Sequence, residues 1–169
     1  MLEDVTVRKA VEFAVKTEEV GNVFYSKMAR KFEEKDKEIS EIFSILAKDE
    51  AAHRNQFRDL LDKVPEDPEV SNKAERLALL KIMSRSEFFM GEDGIYRALD
   101  EIETRDDALE RAVRLEKDTL GYFQALKDVL GDNDILNAII QIEKGHLVKL
   151  MEYMITGAKM RGLGDKFPG

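Results

Sequence analysis

The segment QIEKGHLVKL, Gln141 to Leu150, decides the fold. From Ile139, helical steps of three and four reach Glu143, His146 and Leu150, so an acid and an imidazole hold positions where a bundle helix should carry Leu. The segment FSILAKDEAAHRNQF, Phe43 to Phe57, repeats the pattern: Ile39, Phe43 and Leu46 lead to Glu50 and His53, and Phe57 and Leu60 resume the apolar stripe. The chain has two histidines, and each has Glu three residues before it, on the same helical face.

Two further stripes carry a single acid each. Val11, Val15, Glu18, Asn22, Tyr25, Ala29 and Phe32 form one, and Leu109, Val113, Glu116, Leu120 and Phe123 the other. Read in order, Glu18 then Glu50 with His53, and Glu116 then Glu143 with His146, the chain repeats a helical hairpin. Punctuation agrees with this division. The run EEKDKE is a polar turn, VPEDPEV ends the second stripe because Pro cannot continue a helix, Thr104 with Asp107 opens the third, and LGDND separates the third from the fourth.

The expected fold is therefore all-α, one domain over 1–169, with helical hairpins at 4–64 and 104–157, a crossover at 65–103 and a flexible tail at 158–169 beginning after Gly157. The crossover is too long for a bare loop, and NKAERLALLKIMSRSEFF within it predicts a short extra helix that covers the bundle. A connection of that length lets the third helix lie beside the first, as in four-helix bundles with one long crossover.

Composition narrows the function. Of 169 residues, 37% are charged and the net charge is −8, with basic residues scattered among acids, so no stripe exists to neutralise phosphates and no nucleic acid partner is expected. The opening MLEDVTVRKAVEF lacks the basic and apolar blocks of a signal peptide, and no uncharged run approaches the roughly 20 residues of a membrane span. A cytoplasmic location without membrane contact is the expectation. With no cysteine, disulfides, thiolate nucleophiles, iron–sulfur clusters and Cys-ligated zinc are all excluded, and any metal must rest on carboxylates and imidazoles.

Four carboxylates on four inward faces would each lose several kcal/mol of solvation or be forced to take a proton. Two divalent cations supply the four positive charges that offset them, and two imidazoles complete a mixed oxygen and nitrogen set suited to iron or manganese, with zinc able to compete. The candidate ligands are Glu18, Glu50, His53, Glu116, Glu143 and His146. Glu19 replaces Glu18 if the first helix is rotated. Tyr25 and Tyr122 read as aromatic core, and Tyr25 also stands where it can donate a hydrogen bond to a ligand carboxylate or supply an electron. Asn22 and Asp49 are candidates to support the ligands, with surface or interhelical hydrogen bonding as their alternative.

The stretches TEEVGNVFYSKMA, FSILAKDEAAHRNQF, LEKDTLGYFQAL and IEKGHLVKL together resemble the ferritin-like di-iron carboxylate superfamily, and within it the rubrerythrin-type four-helix domain. The resemblance spans nearly the whole chain. It implies two iron ions, with Glu50 and Glu143 bridging, Glu18 and Glu116 terminal, and His53 and His146 capping one ion each. It also implies reduction of hydrogen peroxide or dioxygen, or oxidation of ferrous iron. Two departures stand out. Rubrerythrins proper carry a Cys-ligated mononuclear iron domain, which this cysteine-free chain cannot form, so electrons would come from a separate donor protein. They also usually carry a further Glu one turn after the third-helix ligand, where this sequence has Thr119. An iron-binding, storage or ferroxidase role without peroxidase turnover is the rival reading, and a homodimer the expected assembly.

Overall fold

A computed structural model describes residues 6–64 and 99–164, which form four helices and no strand: α1 (Val7–Phe32), α2 (Lys37–Leu61), α3 (Arg105–Leu130) and α4 (Asp134–Gly164). The expected short helix of the crossover lies outside the described residues. Each helix starts where a side chain can satisfy the first unpaired amides. Thr6 Oγ1 accepts from Lys9 N at 3.2 Å, Asp36 Oδ1 from Ile39 N at 3.2 Å, Thr104 Oγ1 from Asp107 N at 3.1 Å, and Asn133 Oδ1 from Ile135 N at 2.9 Å. Thr104 and Asp107 make the reciprocal pair that their spacing predicts, since Thr104 Oγ1 also donates to Asp107 Oδ2 at 2.5 Å. Gly131, at φ 85°, ends α3 in a backbone region that a side chain would strain.

The hairpins are antiparallel, and their ends are tied by long basic side chains. Arg8 Nη1 donates to the carbonyls of Leu61 and Val64 at 3.0 and 3.1 Å, joining the start of α1 to the end of α2. Arg105, the first residue of α3, reaches Asp36 Oδ2 at 2.8 Å and Glu38 Oε2 at 3.0 Å at the start of α2, and Tyr153 on α4. Thus α2 and α3 begin at the same end of the bundle. The chain therefore leaves α2 at one end of the bundle and enters α3 at the other, the helix order of a four-helix bundle with one long crossover. α3 packs beside α1, with Phe13 stacked near Tyr122 and Phe123 at centroid distances of 4.1 and 6.1 Å.

The apolar core is in two parts. One contains Phe24, Tyr25, Met28, Ile39, Phe43, Leu46, Leu109 and Leu150, the other Val11, Ala14, Phe57, Phe123, Leu126, Leu136 and Ile139. Burial of each Val, Leu, Ile, Phe or Met side chain among them contributes about 1.5–3 kcal/mol. Between them lies a polar waist of buried Glu18, Glu50, Glu116, Glu143 and His146.

The sequence reading needs one correction here. α4 does not stop at Gly157 but continues to Gly164, so residues 158–164 extend the helix rather than begin a tail. A single Gly inside a helix costs about 1 kcal/mol, which good helix formers on either side can offset.

Candidate metal centre

Every one of the six candidate ligands comes to the waist of the bundle. Glu18, Glu50, Glu116, Glu143 and His146 are 1% to 4% exposed, and the His53 side chain retains 20% exposure. Their atoms form two overlapping groups: Glu18, Glu50, His53 and His146 can each offer one ligand atom within 4.8 Å of the others, and so can Glu116, Glu143 and His146. Glu18 rather than Glu19 is the inward acid of α1, since Glu19 is exposed.

The imidazoles lie across the α2–α4 seam from one another. Their rings stand 4.8 Å apart, with His146 Nε2 3.0 Å from His53 Nδ1, so one nitrogen donates to the other. His146 Nδ1 faces two acids from other helices, 3.5 Å from both Glu50 Oε1 and Glu116 Oε2, while His53 Nδ1 stands 3.9 Å from Glu18 Oε2. His146 is thus shared by both groups, and the site is less symmetrical than the sequence repeat.

Burial dominates its electrostatics. Removal from water pushes the Glu18 carboxyl up to about 7; contact with Glu50 and the charge of His146 pull it down, and Glu116 pushes it further up. Glu50 and Glu143 are raised well above the ordinary carboxylate range, again first by burial and then by the neighbouring acids. Burial lowers His146, but its contact with Glu116 and the negative charges of Glu116, Glu18 and Asp49 more than offset this, and the net direction is upward. His53 is lowered by burial and by His146.

Four buried atoms in this cluster make no hydrogen bond: Glu18 Oε1 and Oε2, Glu143 Oε1 and His146 Nδ1. A buried polar atom without a partner costs about 1–3 kcal/mol, and three of the four, on Glu18 and Glu143, belong to residues that line a cavity of about 10 Å³ together with Thr17, Gly21, Glu50, Leu115, Glu116 and Thr119. Oxygen-rich donors with imidazole nitrogens, concentrated negative charge and unmet lone pairs are what a carboxylate-bound transition metal needs. The cluster is compatible with a di-iron site.

Tyr25 is fully buried, and its hydroxyl donates to Glu116 Oε1. Burial, with the charges of Glu116 and Glu50, raises its pKa well above 10, so the phenol keeps its proton. Tyr122 is aromatic core, packed against Phe13 and Phe123 and pushed up to about 12 by burial. The other two candidate supports are engaged elsewhere: Asn22 Nδ2 donates to the Ala47 carbonyl at 2.6 Å, bracing α1 on α2, and Asp49 pairs with Lys149.

Two residues of the site, Gly21 and Thr17, were not picked out from the sequence. Gly21 lies three residues after Glu18, and a Cβ there would come within 2.7 Å of Glu50 Oε1, so the missing side chain makes room for the Glu50 carboxylate. A Gly in the middle of an apolar helical stripe was the available signal. Thr17 is buried beside the acids, with its Oγ1 committed to the Ala14 carbonyl at 2.9 Å, and Thr119, already noted in the sequence, is buried there with it.

No helix among the described residues is long and apolar enough to cross a membrane. Neither the curated proteins nor the solved structures contain a match to the chain. The Rubrerythrin family model matches residues 9–154, a span that includes all four helix faces and all six candidate ligands. The chain belongs to the rubrerythrin family.

Proposed function

We propose that the protein is a cytoplasmic di-iron oxidoreductase that reduces hydrogen peroxide or dioxygen with electrons from a separate donor protein. The observation that carries this reading is the convergence of four buried carboxylates and two imidazoles, with Glu18, Glu143 and His146 left short of hydrogen bonds. Glu18, Glu50, His53, Glu116, Glu143 and His146 would hold two iron ions, with manganese or zinc able to compete. Iron in that setting would supply an electron from each ion to an oxidant.

The chain's own groups supply the rest. Four carboxylates give the negative charge that favours divalent cations. Gly21 leaves the space in which Glu50 stands, and the protonated Tyr25 hydroxyl fixes the orientation of Glu116 through Oε1. The two apolar halves of the core exclude bulk water on either side, which strengthens every electrostatic interaction within.

Thr119 favours a second reading, a ferroxidase or iron-binding role without peroxidase turnover. It is buried at the cavity wall, one turn after Glu116, where rubrerythrins usually place a further Glu. Anaerobic loading with ferrous iron, then addition of peroxide or oxygen, separates the two. Oxidation followed by repeated turnover with an external reductant supports the oxidoreductase, whereas a single oxidation with iron retained supports the store. Absence of iron binding would overturn both.

A further inference from the structure

Thr119 lies on α3 one helical turn after Glu116, which puts both side chains on one face. It is 4% exposed and lines the cavity among the four acids. A Thr inside a helix commonly donates its hydroxyl to a carbonyl of the preceding turn, and Thr17, on α1 at the same cavity, donates to Ala14 in this way. Thr119 does not. Its hydroxyl makes no hydrogen bond among the described residues, which leaves it to whatever the cavity holds.

The other side chains of the lining cannot donate. Glu18, Glu50, Glu116 and Glu143 only accept once ionised, as metal binding requires; Gly21 and Leu115 carry no polar side-chain atom; and the Thr17 hydrogen is already committed. The cavity, at about 10 Å³, is on the scale of a single water, so what enters it is small. An oxygen atom that gains negative charge there meets carboxylate acceptors and one side-chain donor, the Thr119 hydroxyl.

We infer that Thr119 positions the oxidant: its hydroxyl donates a hydrogen bond to a molecule with two heavy atoms, dioxygen or peroxide, held in this cavity. The inference rests on the di-iron reading above and holds for both of its forms, because each brings such an oxidant to the site. A carboxylate at position 119 could only accept and would add to the negative charge, whereas a neutral hydroxyl donates.

Nitric oxide, a two-atom stand-in for dioxygen, tests this on the full chain loaded anaerobically with ferrous iron. Thr119→Val removes the hydroxyl and keeps the branched shape, and Thr119→Ser keeps the hydroxyl. Iron content should be equal in all three proteins. Nitric oxide should bind about tenfold or more weakly to Thr119→Val and within about threefold of wild type to Thr119→Ser. The N–O stretch should rise in Thr119→Val, and should respond to deuterium oxide only in the wild type and Thr119→Ser. The metal-free Thr119→Val protein should unfold at the wild-type denaturant midpoint or above it, because a buried hydroxyl without a partner does not stabilise the fold. A lower midpoint would mean that the hydroxyl is bonded within the fold, and overturns the inference. Iron-loaded Thr119→Val with the wild-type affinity and stretch overturns it too and leaves the di-iron reading standing, while a wild type that binds no iron overturns both.

Discussion

The Tyr25 hydroxyl on α1 donates a hydrogen bond to Glu116 Oε1 on α3, joining the two hairpins inside the polar waist. Both residues are buried, at 0% and 2% exposure, so water cannot replace either partner. A hydrogen bond to a charged group contributes about 1.5–3 kcal/mol, and losing the donor leaves a buried carboxylate with one fewer partner. Tyr25→Phe keeps the ring among Phe24 and Phe43. The expected result is a folded protein destabilised by about that amount, with iron bound about tenfold to a hundredfold more weakly because Glu116 is no longer oriented. Chemical denaturation and metal competition check the two effects separately.

Gly21 and Glu50 make a different kind of prediction. Gly21→Ala gains about 1 kcal/mol of helix propensity in α1, yet its methyl group would stand within 2.7 Å of Glu50 Oε1. The atom it meets is the end of a side chain, so Glu50 can swing away while the helices stay in place. Stability of the metal-free protein should be unchanged or higher, while iron affinity falls about tenfold. A variant that binds iron as well as wild type would show that Glu50 is not a ligand in the position described.

Acidity gives the metal-free protein an unusual pH profile. The Glu18 carboxyl is raised from 4.5 to about 7 by burial, so the folded state holds a proton that the unfolded state has already released. Stability is full below the unfolded value and falls as pH rises from about 4.5 through about 7, by on the order of 3 kcal/mol for this group at about 1.4 kcal/mol per unit. Glu50 and Glu143, raised by the same cause, act in the same direction. Metal must displace those protons, so the loaded protein should become more stable over the same interval. Thermal melts from pH 5 to 8, with and without ferrous iron, should diverge. Parallel curves would mean that the carboxylates are not the groups holding the metal.

The fold and the gathering of the candidate residues at one level of the bundle were legible for a physical reason. A buried charge must be satisfied, and polar residues recurring at the same place on four apolar stripes leave few ways to satisfy it. Thr104, Asp36 and Thr6 cap helices because short side chains at those points reach free amides, a local effect that spacing can show. What spacing does not show is how far apart the helices stand. The cavity wall at Thr17, Gly21 and Thr119, the contact between His53 and His146, and the partner of Tyr25 all depend on interhelical distances of a few ångströms. Gly157 misled as a terminator because one Gly weakens a helix without having to end it.

Ligand deletion separates metal binding from folding in opposite directions. Glu50 and His146 come from α2 and α4 and meet at 3.5 Å in the waist, whereas Glu19, adjacent to Glu18, points to solvent. Glu50→Ala removes a buried carboxylate crowded by Glu18, Glu116 and Glu143, so the metal-free protein should gain stability at pH 8 as repulsion is relieved. The same change removes a ligand and should lower iron content markedly, as should His146→Ala, with Glu19→Ala leaving content at the wild-type value. Metal analysis of protein purified from iron-supplemented cells, paired with denaturation of the metal-free forms, reads both. Wild-type iron content in Glu50→Ala or His146→Ala would break the assignment, and a loss in Glu19→Ala would mean that α1 presents its other acid to the metal.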